Sequence, residues 1–131
     1  MKIVGTGSCL PQRVVSNDDL AAIMDTSDEW ISSRTGIRNR HIATTETTTS
    51  LACDAVKSAL QDAGIDGSEI DLIIAASVST DKIVPSLACQ IQAEIGAGSA
   101  VAFDINAACS GFLFGLATAC LLYTSPSPRD A

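Results

Sequence analysis

Charged residues and aromatic residues are both scarce in this chain of 131 residues. Charged residues make up 18% of the sequence and aromatic residues 4%, whereas hydrophobic residues reach 47%. The few basic residues leave a net charge of −7. This balance argues against nucleic acid or an anionic membrane as the main partner, because both select for basic patches. Any core must be built from small aliphatic side chains, which is typical of α/β proteins with buried parallel strands.

Cysteine pairs with metal-site spacing and a signal peptide are also absent. The chain has five cysteines and no C-x-x-C motif, so we predict no zinc or other metal site. The odd number of cysteines and the lack of an apolar segment after Met1 favour a reducing compartment, and we expect a cytoplasmic protein. The dinucleotide fingerprint G-x-G-x-x-G fails as well, because Leu10 stands where a third glycine would follow Gly5 and Gly7.

The longest uncharged run is AACSGFLFGLATACLLY, over residues 107–123. A membrane-spanning helix needs about 20 predominantly apolar residues, and this run is shorter and contains Ser110 and Thr118. We therefore expect no membrane span. The run instead predicts a helix buried on all sides inside a layered α/β protein.

Hydrophobic periodicity and turn residues predict strands that alternate with helices. Ser16 and Asp19 predict a capping box at the start of a short helix. A second capping box, formed by Thr26 and Glu29, opens a helix that should end near Gly36. This order of elements predicts an α/β domain with a mainly parallel sheet and right-handed crossovers. The other predicted elements are strands over 2–6, 70–77 and 101–106 and helices over 17–24, 50–63, 86–95 and from about 109 onward.

Cys109 is the strongest candidate for a catalytic nucleophile. It lies between a predicted strand and a predicted helix, where the positive end of the helix dipole stabilises a thiolate. Its neighbours are small, and backbone N–H groups of the same turn can form an oxyanion hole. The alternative, an inert buried cysteine, stays open at this point. We interpret Cys9, Cys53 and Cys89 as structural.

The remaining candidate groups are a histidine and an aromatic–cation pair. His41 is the only histidine, and its polar turn favours a solvated or loop-bracing role over that of a catalytic base. The sequence thus offers a nucleophile without an evident partner. Trp30 and Arg34 are four residues apart and share one helix face. They either form a cation–π pair that closes a surface or offer an aromatic plate and a cation to a nucleotide-bearing ligand.

Four segments together resemble a known family. They are GTGSCLP near the start, DTSDEWISSRTGIRNRHIA at 25–43, PSLACQIQ at 85–92 and FDINAACSGF at 103–112. They closely resemble β-ketoacyl-acyl-carrier-protein synthase III, the condensing enzyme that starts type II fatty-acid synthesis and a member of the thiolase-like superfamily. The resemblance implies that residues 1–119 form an N-terminal thiolase-like half-domain, the first half of a two-repeat α/β/α/β/α layered fold.

The resemblance ends at about residue 119. The remaining residues, CLLYTSPSPRDA over 120–131, look like translated sequencing-adaptor read-through. We therefore expect 120–131 to be a non-family tail of artefactual origin.

The resemblance also implies a reaction and its site residues. Cys109 would take an acyl group from acyl-CoA, and malonyl-acyl-carrier protein would then lose CO₂ and attack the acyl-cysteine. The coenzyme A thioester is a substrate, and no cofactor is expected. Thr26, Trp30 and Arg34 would line the coenzyme A entrance. Val84 matches an acyl-pocket position that some members fill with a bulky aromatic across a homodimer, so we hypothesise tolerance of longer or branched primers.

Two departures from the family leave alternatives open. The catalytic histidine and asparagine of the family come from its second half, and no residue here matches them, so we expect this chain to be incomplete for catalysis. Another thiolase-like condensing enzyme, of polyketide or quinolone type, fits the same motifs. A non-catalytic half that binds an acyl carrier protein is a further alternative. A redox-sensing thiol protein is disfavoured because no resolving cysteine lies close to Cys109 in the sequence.

Overall fold

The computed structural model describes residues 2–124, which form two compact units. The main unit comprises the residues up to Ser8 together with those from Thr48 onward. The small unit comprises Cys9–Thr47. Each unit has its own two-stranded sheet.

The strands are β1 (Arg13–Ser16), β2 (Asn39–Ile42), β3 (Leu72–Ala76) and β4 (Val101–Ile105), and the helices are α1 (Asn17–Ala21), α2 (Asp28–Thr35), α3 (Thr48–Ala63), α4 (Leu87–Glu94) and α5 (Gly111–Thr124). The last helix follows a short 3-10 turn, Ala108–Ser110. From β3 onward, strands and helices alternate as the sequence predicts, whereas α1 and α2 follow each other directly.

The main unit is a parallel strand pair covered by helices. In β3 and β4, Leu72 lies opposite Val101 and Ala76 lies opposite Ile105. The core residues are small or branched aliphatic side chains, as the composition predicts, because the sequence has few aromatics to place there. The buried cluster joins α3, β3 and α4 and consists of Cys53, Ala75, Leu87, Ala88 and Ile91.

Carboxylates cap the N-termini of two helices in the main unit. Asp104, in β4, accepts the backbone N–H groups of Leu87 and Ala88 at 2.8 and 2.7 Å. Asp81, in the loop after β3, accepts the backbone N–H of Thr48 at 3.1 Å. Each carboxylate satisfies donors that have no partner inside their helix, and so fixes the helix against the strand or loop that carries it.

The small unit joins an antiparallel strand pair to two helices. Arg13 of β1 lies opposite Ile42 of β2. The side chains of Ser16 and Asp19 form the capping box that the sequence predicts for α1. Gly36 ends α2 in the left-handed conformation, with φ 72°, as predicted from its position.

The predicted strand over 2–6 is wrong. The structure shows no strand there, because no described strand pairs with this segment. The segment instead lies along α3, where Thr6 donates its backbone N–H to Asp62 at 2.9 Å. A β-carbon on Gly7 would fall 2.2 Å from the carbonyl oxygen of Ala55, so only glycine allows this close approach.

Several boundaries also differ from the predictions. The N-cap of α2 is Ser27 rather than Thr26, since the Ser27 hydroxyl accepts the backbone N–H of Trp30 at 3.1 Å. Helix α1 ends at Ala21 rather than at 24, and α3 begins two residues before the predicted position 50. The strands β1 and β2 were not predicted, because their four-residue segments RVVS and NRHI carry no alternating apolar pattern.

The prediction that the last helix is buried on all sides is wrong for this chain. Helix α5 packs on β3, but Phe112 is 74% exposed and Tyr123 81% exposed. No helix among residues 2–124 is long and apolar enough to cross a membrane. Helix α5 runs on through the predicted boundary at 119, and residues 125–131 of the predicted tail lie outside the described residues.

The Glu46 side chain makes pH-dependent hydrogen bonds that connect separate segments of the small unit. The Glu46 carboxylate accepts backbone N–H groups from Gln12 at 2.9 Å and from Thr44 at 2.9 Å. These hydrogen bonds favour the charged form and lower its pKa from 4.5 to about 2. Because the pKa is lower in the folded state, the stabilisation is complete above pH 4.5 and is lost as the pH falls through about 2.

We therefore expect the amide proton of Gln12 to lose its hydrogen-bonded chemical shift with a midpoint near the lowered pKa of Glu46, about 2. An NMR titration measures this directly. In the Glu46→Gln variant, the side chain is neutral at every pH and the Gln12 shift should not respond. A midpoint near the ordinary pKa of 4.5 would show that these hydrogen bonds do not lower the pKa of Glu46.

Candidate active site

Cys109 lies in the turn between β4 and α5, as the sequence predicts, and its side chain is exposed. The turn closes with a hydrogen bond from the Ser110 N–H to the Ala107 carbonyl at 3.0 Å. Ala108 has φ 44°, a left-handed conformation that costs a non-glycine residue free energy. A strained turn that presents an exposed thiol is the arrangement expected for a nucleophile.

Helix α5 has two glycines that face the strands, and Gly111 is the one that lets this turn approach them closely. A β-carbon on Gly111 would lie 2.9 Å from the β-carbon of Ala76, at the carboxyl end of β3. A β-carbon on Gly115 would lie 3.5 Å from Ile105, which is an ordinary contact. Gly111 is therefore the tighter of the two contacts, and it lies two residues after Cys109.

Cys53 provides the contrast to Cys109. It is buried in the core of the main unit, and burial raises the pKa of its thiol. A buried thiol with a raised pKa is a poor nucleophile. The structural role predicted for Cys53 therefore agrees with its environment.

We expect iodoacetamide at neutral pH to alkylate Cys109 at least about tenfold faster than Cys53, because a reactive thiol must be both accessible and ionised. Peptide mapping by mass spectrometry measures the two rates in one sample. The Cys109→Ser variant serves as the control and should lose the fast phase. Equal rates at the two positions would contradict this assignment.

The residues predicted at the coenzyme A entrance lie in and just before α2, in the small unit. The guanidinium carbon of Arg34 lies 4.5 Å from the centre of the Trp30 ring, so the cation–π pair is present. Trp30 remains 54% exposed. Thr26 and Trp30 both line a cavity of about 340 Å³, and Trp30 and Arg34 both line a second one. The role of all three residues in ligand binding stays a prediction.

His41 braces a loop. Its Nδ1 atom lies 2.6 Å from the carbonyl oxygen of Pro11, which can only accept a hydrogen bond, so Nδ1 carries the proton. Loop bracing is one of the two roles that the sequence favours for His41. Elsewhere, residues 2–124 contain no group of three histidine, cysteine or acidic side chains that could hold a metal ion.

Val84 lies in the loop between β3 and α4, directly before Pro85. Its side chain is 83% exposed. An exposed aliphatic side chain is available to line a pocket formed with another chain, and its assignment to an acyl pocket stays a prediction.

Sequence reasoning missed Asn17. This residue is 1% exposed, and it carries the largest side chain that is fully buried among the described residues. An asparagine at the start of a short helix carries no sequence signal for burial, because asparagine is mostly exposed and common near helix ends. Only its long-range hydrogen bonds, which a local pattern does not show, identify it.

Comparisons with known proteins agree with the resemblance inferred from the motifs. No family model matches the chain. It is 55% identical over 117 residues to β-ketoacyl-[acyl-carrier-protein] synthase III of Streptococcus sanguinis, an alignment that covers 89% of this chain and 36% of that protein. The chain thus spans about 36% of the length of the curated relatives it matches.

Solved structures show the same relationship. The 3-oxoacyl-[acyl-carrier-protein] synthase III of Aquifex aeolicus aligns with a TM-score of 0.90 and 49% identity, over 94% of this chain and 40% of that one. The priming β-ketosynthase of the R1128 polyketide pathway aligns with a TM-score of 0.87 and 40% identity, over 92% and 36%. The resemblance to synthase III and the α/β thiolase-like fold class are therefore confirmed.

Proposed function

We propose that this chain is part of a β-ketoacyl-acyl-carrier-protein synthase III that joins an acyl-CoA primer to malonyl-acyl-carrier protein and initiates fatty-acid synthesis. The exposed thiol of Cys109 carries the proposal, because it lies on a strained strand-to-helix turn at the end of a parallel strand pair. The identity of 55% to a synthase III supports it. We place the reaction in the cytoplasm and expect the full-length enzyme to be a homodimer.

In the first half-reaction, the reacting groups are the Cys109 thiolate and the primer thioester. The Cys109 thiolate attacks the carbonyl carbon of acyl-CoA, a new carbon–sulfur bond forms, and the bond to the sulfur of coenzyme A breaks. Coenzyme A leaves as a thiolate and takes up a proton from solvent. Backbone N–H groups at the turn are suited to hold the transient oxyanion.

The second half-reaction forms the carbon–carbon bond. Malonyl-acyl-carrier protein loses CO₂, and the electron pair of the broken bond becomes a carbanion that attacks the acyl-cysteine. Cys109 then leaves as a thiolate, and the product is a 3-oxoacyl-carrier protein. Electrons balance without an oxidant, a reductant or a cofactor. The family's histidine and asparagine for this step have no match here, so we assign only the acyl-transfer half-reaction to this chain.

A second candidate is a priming ketosynthase of a polyketide pathway. The likeness to the R1128 priming β-ketosynthase, at 40% identity, favours it. Both candidates use Cys109 in the same way and differ in the primer they accept. Primer choice is therefore the property that separates them.

The release of free coenzyme A from different primers tests both the activity and the role of Val84. We expect the chain to accept isobutyryl-CoA as well as acetyl-CoA, because valine at position 84 leaves room for a branched group. The Val84→Phe variant should lower isobutyryl transfer by about tenfold or more and leave acetyl transfer in place, since even one extra or missing methylene group in an apolar pocket changes the rate by about tenfold or more. Coenzyme A release from acetyl-CoA but not from isobutyryl-CoA by the parent chain would contradict the predicted role of Val84.

A further inference from the structure

The side-chain amide of Asn17 is buried and fully hydrogen-bonded. Its Nδ2 atom donates to Oδ1 of Asp28 at 2.7 Å and to the carbonyl oxygen of Ile37 at 2.8 Å. Its Oδ1 atom accepts a hydrogen bond from Nη2 of Arg40. Both protons of the amide and its oxygen are thus in use. A buried amide with every hydrogen bond satisfied defines one geometry for its partners.

Those partners lie at the two ends of α2. Asp28 is the first residue of the helix, and Ile37 follows the Gly36 turn at which the helix ends. The backbone N–H of Asn17 also donates to the carbonyl of Arg38 at 3.1 Å, and Arg38 pairs with the Asp28 carboxylate at 3.8 Å. One side chain therefore ties the start of α2 to the segment that leaves it.

The amide is itself anchored to the sheet of the small unit. Arg40, in β2, donates from Nη1 to the carbonyl oxygen of Val15 in β1 at 3.0 Å and from Nη2 to Asn17. The guanidinium thus links both strands to the amide. A planar guanidinium fixes its partners through paired N–H groups.

Hydrophobic packing contributes little to this placement, because no residue of α2 is buried and Ile31 is its one half-buried hydrophobic side chain. The contacts described for Trp30 and Arg34 are all within α2 and its N-cap. The backbone N–H of Trp30 donates to the Ser27 hydroxyl, and the Arg34 guanidinium contacts the ring and the carbonyl oxygen of Trp30. The direction in which these two side chains face therefore depends on the orientation of α2 as a whole. The hydrogen bonds of Asn17, called the tether below, fix that orientation.

We propose that Asn17 is the positioning residue that orients α2 and so presents Trp30 and Arg34 to coenzyme A. The inference rests on the proposed function, since it adds a residue that acts on the ligand through others. Loosening the tether should leave the cation–π pair within the helix and change the direction in which the pair faces. The expected consequence is weaker binding of coenzyme A with an unchanged reaction of the Cys109 thiol with iodoacetamide.

Three variants separate the tether from folding. Asn17→Ala removes the buried amide. Asp28→Ala removes one acceptor at a half-exposed side chain, which keeps the test available if Asn17→Ala does not fold. Asp28→Asn is the matched control, because it keeps an acceptor oxygen for Asn17. It also removes the charge that faces Arg38, but that pair is long and exposed and contributes little.

The Trp30 side chain serves as the spectroscopic probe of coenzyme A binding, since it is the single tryptophan of the chain. Quenching of its fluorescence during titration with coenzyme A gives a Kd, and its near-UV circular dichroism without ligand reports its packing. We expect both alanine variants to raise the Kd about tenfold, a factor equivalent to about 1.4 kcal/mol, and to alter the dichroism. Asp28→Asn should match the parent within about twofold. The amide protection of β1 and β2 shows that the small unit remains folded.

A folded Asp28→Ala variant with the parent's Kd and dichroism would overturn the positioning role. Failure of the parent chain to bind coenzyme A would count against the proposed function instead. In that case the dichroism still decides the positioning role: a changed Trp30 signal in Asp28→Ala and a parent-like signal in Asp28→Asn support it, and identical signals in all variants contradict it.

Discussion

Replacement of Cys109 by alanine is expected to lower the release of coenzyme A from acetyl-CoA by at least about a thousandfold, to the uncatalysed level. The expectation follows from covalent catalysis, in which removing the nucleophile removes the intermediate and leaves only binding. Chromatographic quantification of free coenzyme A measures the effect without interference from protein thiols.

The Cys9→Ser variant is the control for this experiment. Cys9 is half-buried and lies in the small unit, and we interpret it as structural. It should therefore keep the parent rate. Release of coenzyme A by Cys109→Ala at the parent rate would show that another group accepts the acyl chain or that water does.

The Gly111→Val substitution is expected to have the second large effect, a loss of both stability and reaction rate. A valine there would place a branched side chain where a single β-carbon already lies 2.9 Å from the β-carbon of Ala76. Helix α5 must then move away from β3, which we expect to cost about 2 kcal/mol of the free energy of unfolding. The Cys109 turn moves with it, and a displacement of about 1 Å at a reacting group can lower the rate about a hundredfold.

Gly115→Ala is the matched substitution on the same helix. Its β-carbon would lie 3.5 Å from Ile105, and alanine favours a helix over glycine by about 1 kcal/mol. We expect this variant to be at least as stable as the parent and equally active. Thermal unfolding and coenzyme A release measure both variants. Equal stability and rate for Gly111→Val and the parent would contradict a tight contact at Gly111.

Local signals in the sequence predicted much of the fold. The Ser16–Asp19 capping box and the left-handed exit at Gly36 depend on neighbouring residues alone, so both were predictable. The parallel strands β3 and β4 were predictable because their segments are short, largely apolar runs rich in branched side chains. The turn that carries Cys109 was predictable because it lies between an apolar strand segment and a predicted helix.

Features that depend on distant residues were not predictable. The segment 2–6 has a strand-like composition, but a strand requires a partner and the described chain offers none to it. The burial of Asn17 depends on hydrogen bonds to residues 28, 37 and 40, which no local pattern encodes. The exposure of Phe112 and Tyr123 reflects what packs on α5, which the helix sequence alone does not specify.

The most direct test of the central claim is to map the acyl group after incubation of this chain with acetyl-CoA. Peptide mass spectrometry under acidic conditions preserves a thioester and locates it. We predict one acetyl group, on the peptide that contains Cys109, and its removal by neutral hydroxylamine. Absence of acetylation at Cys109, with acetyl groups elsewhere or nowhere, would contradict the assignment of Cys109 as the acyl-accepting nucleophile.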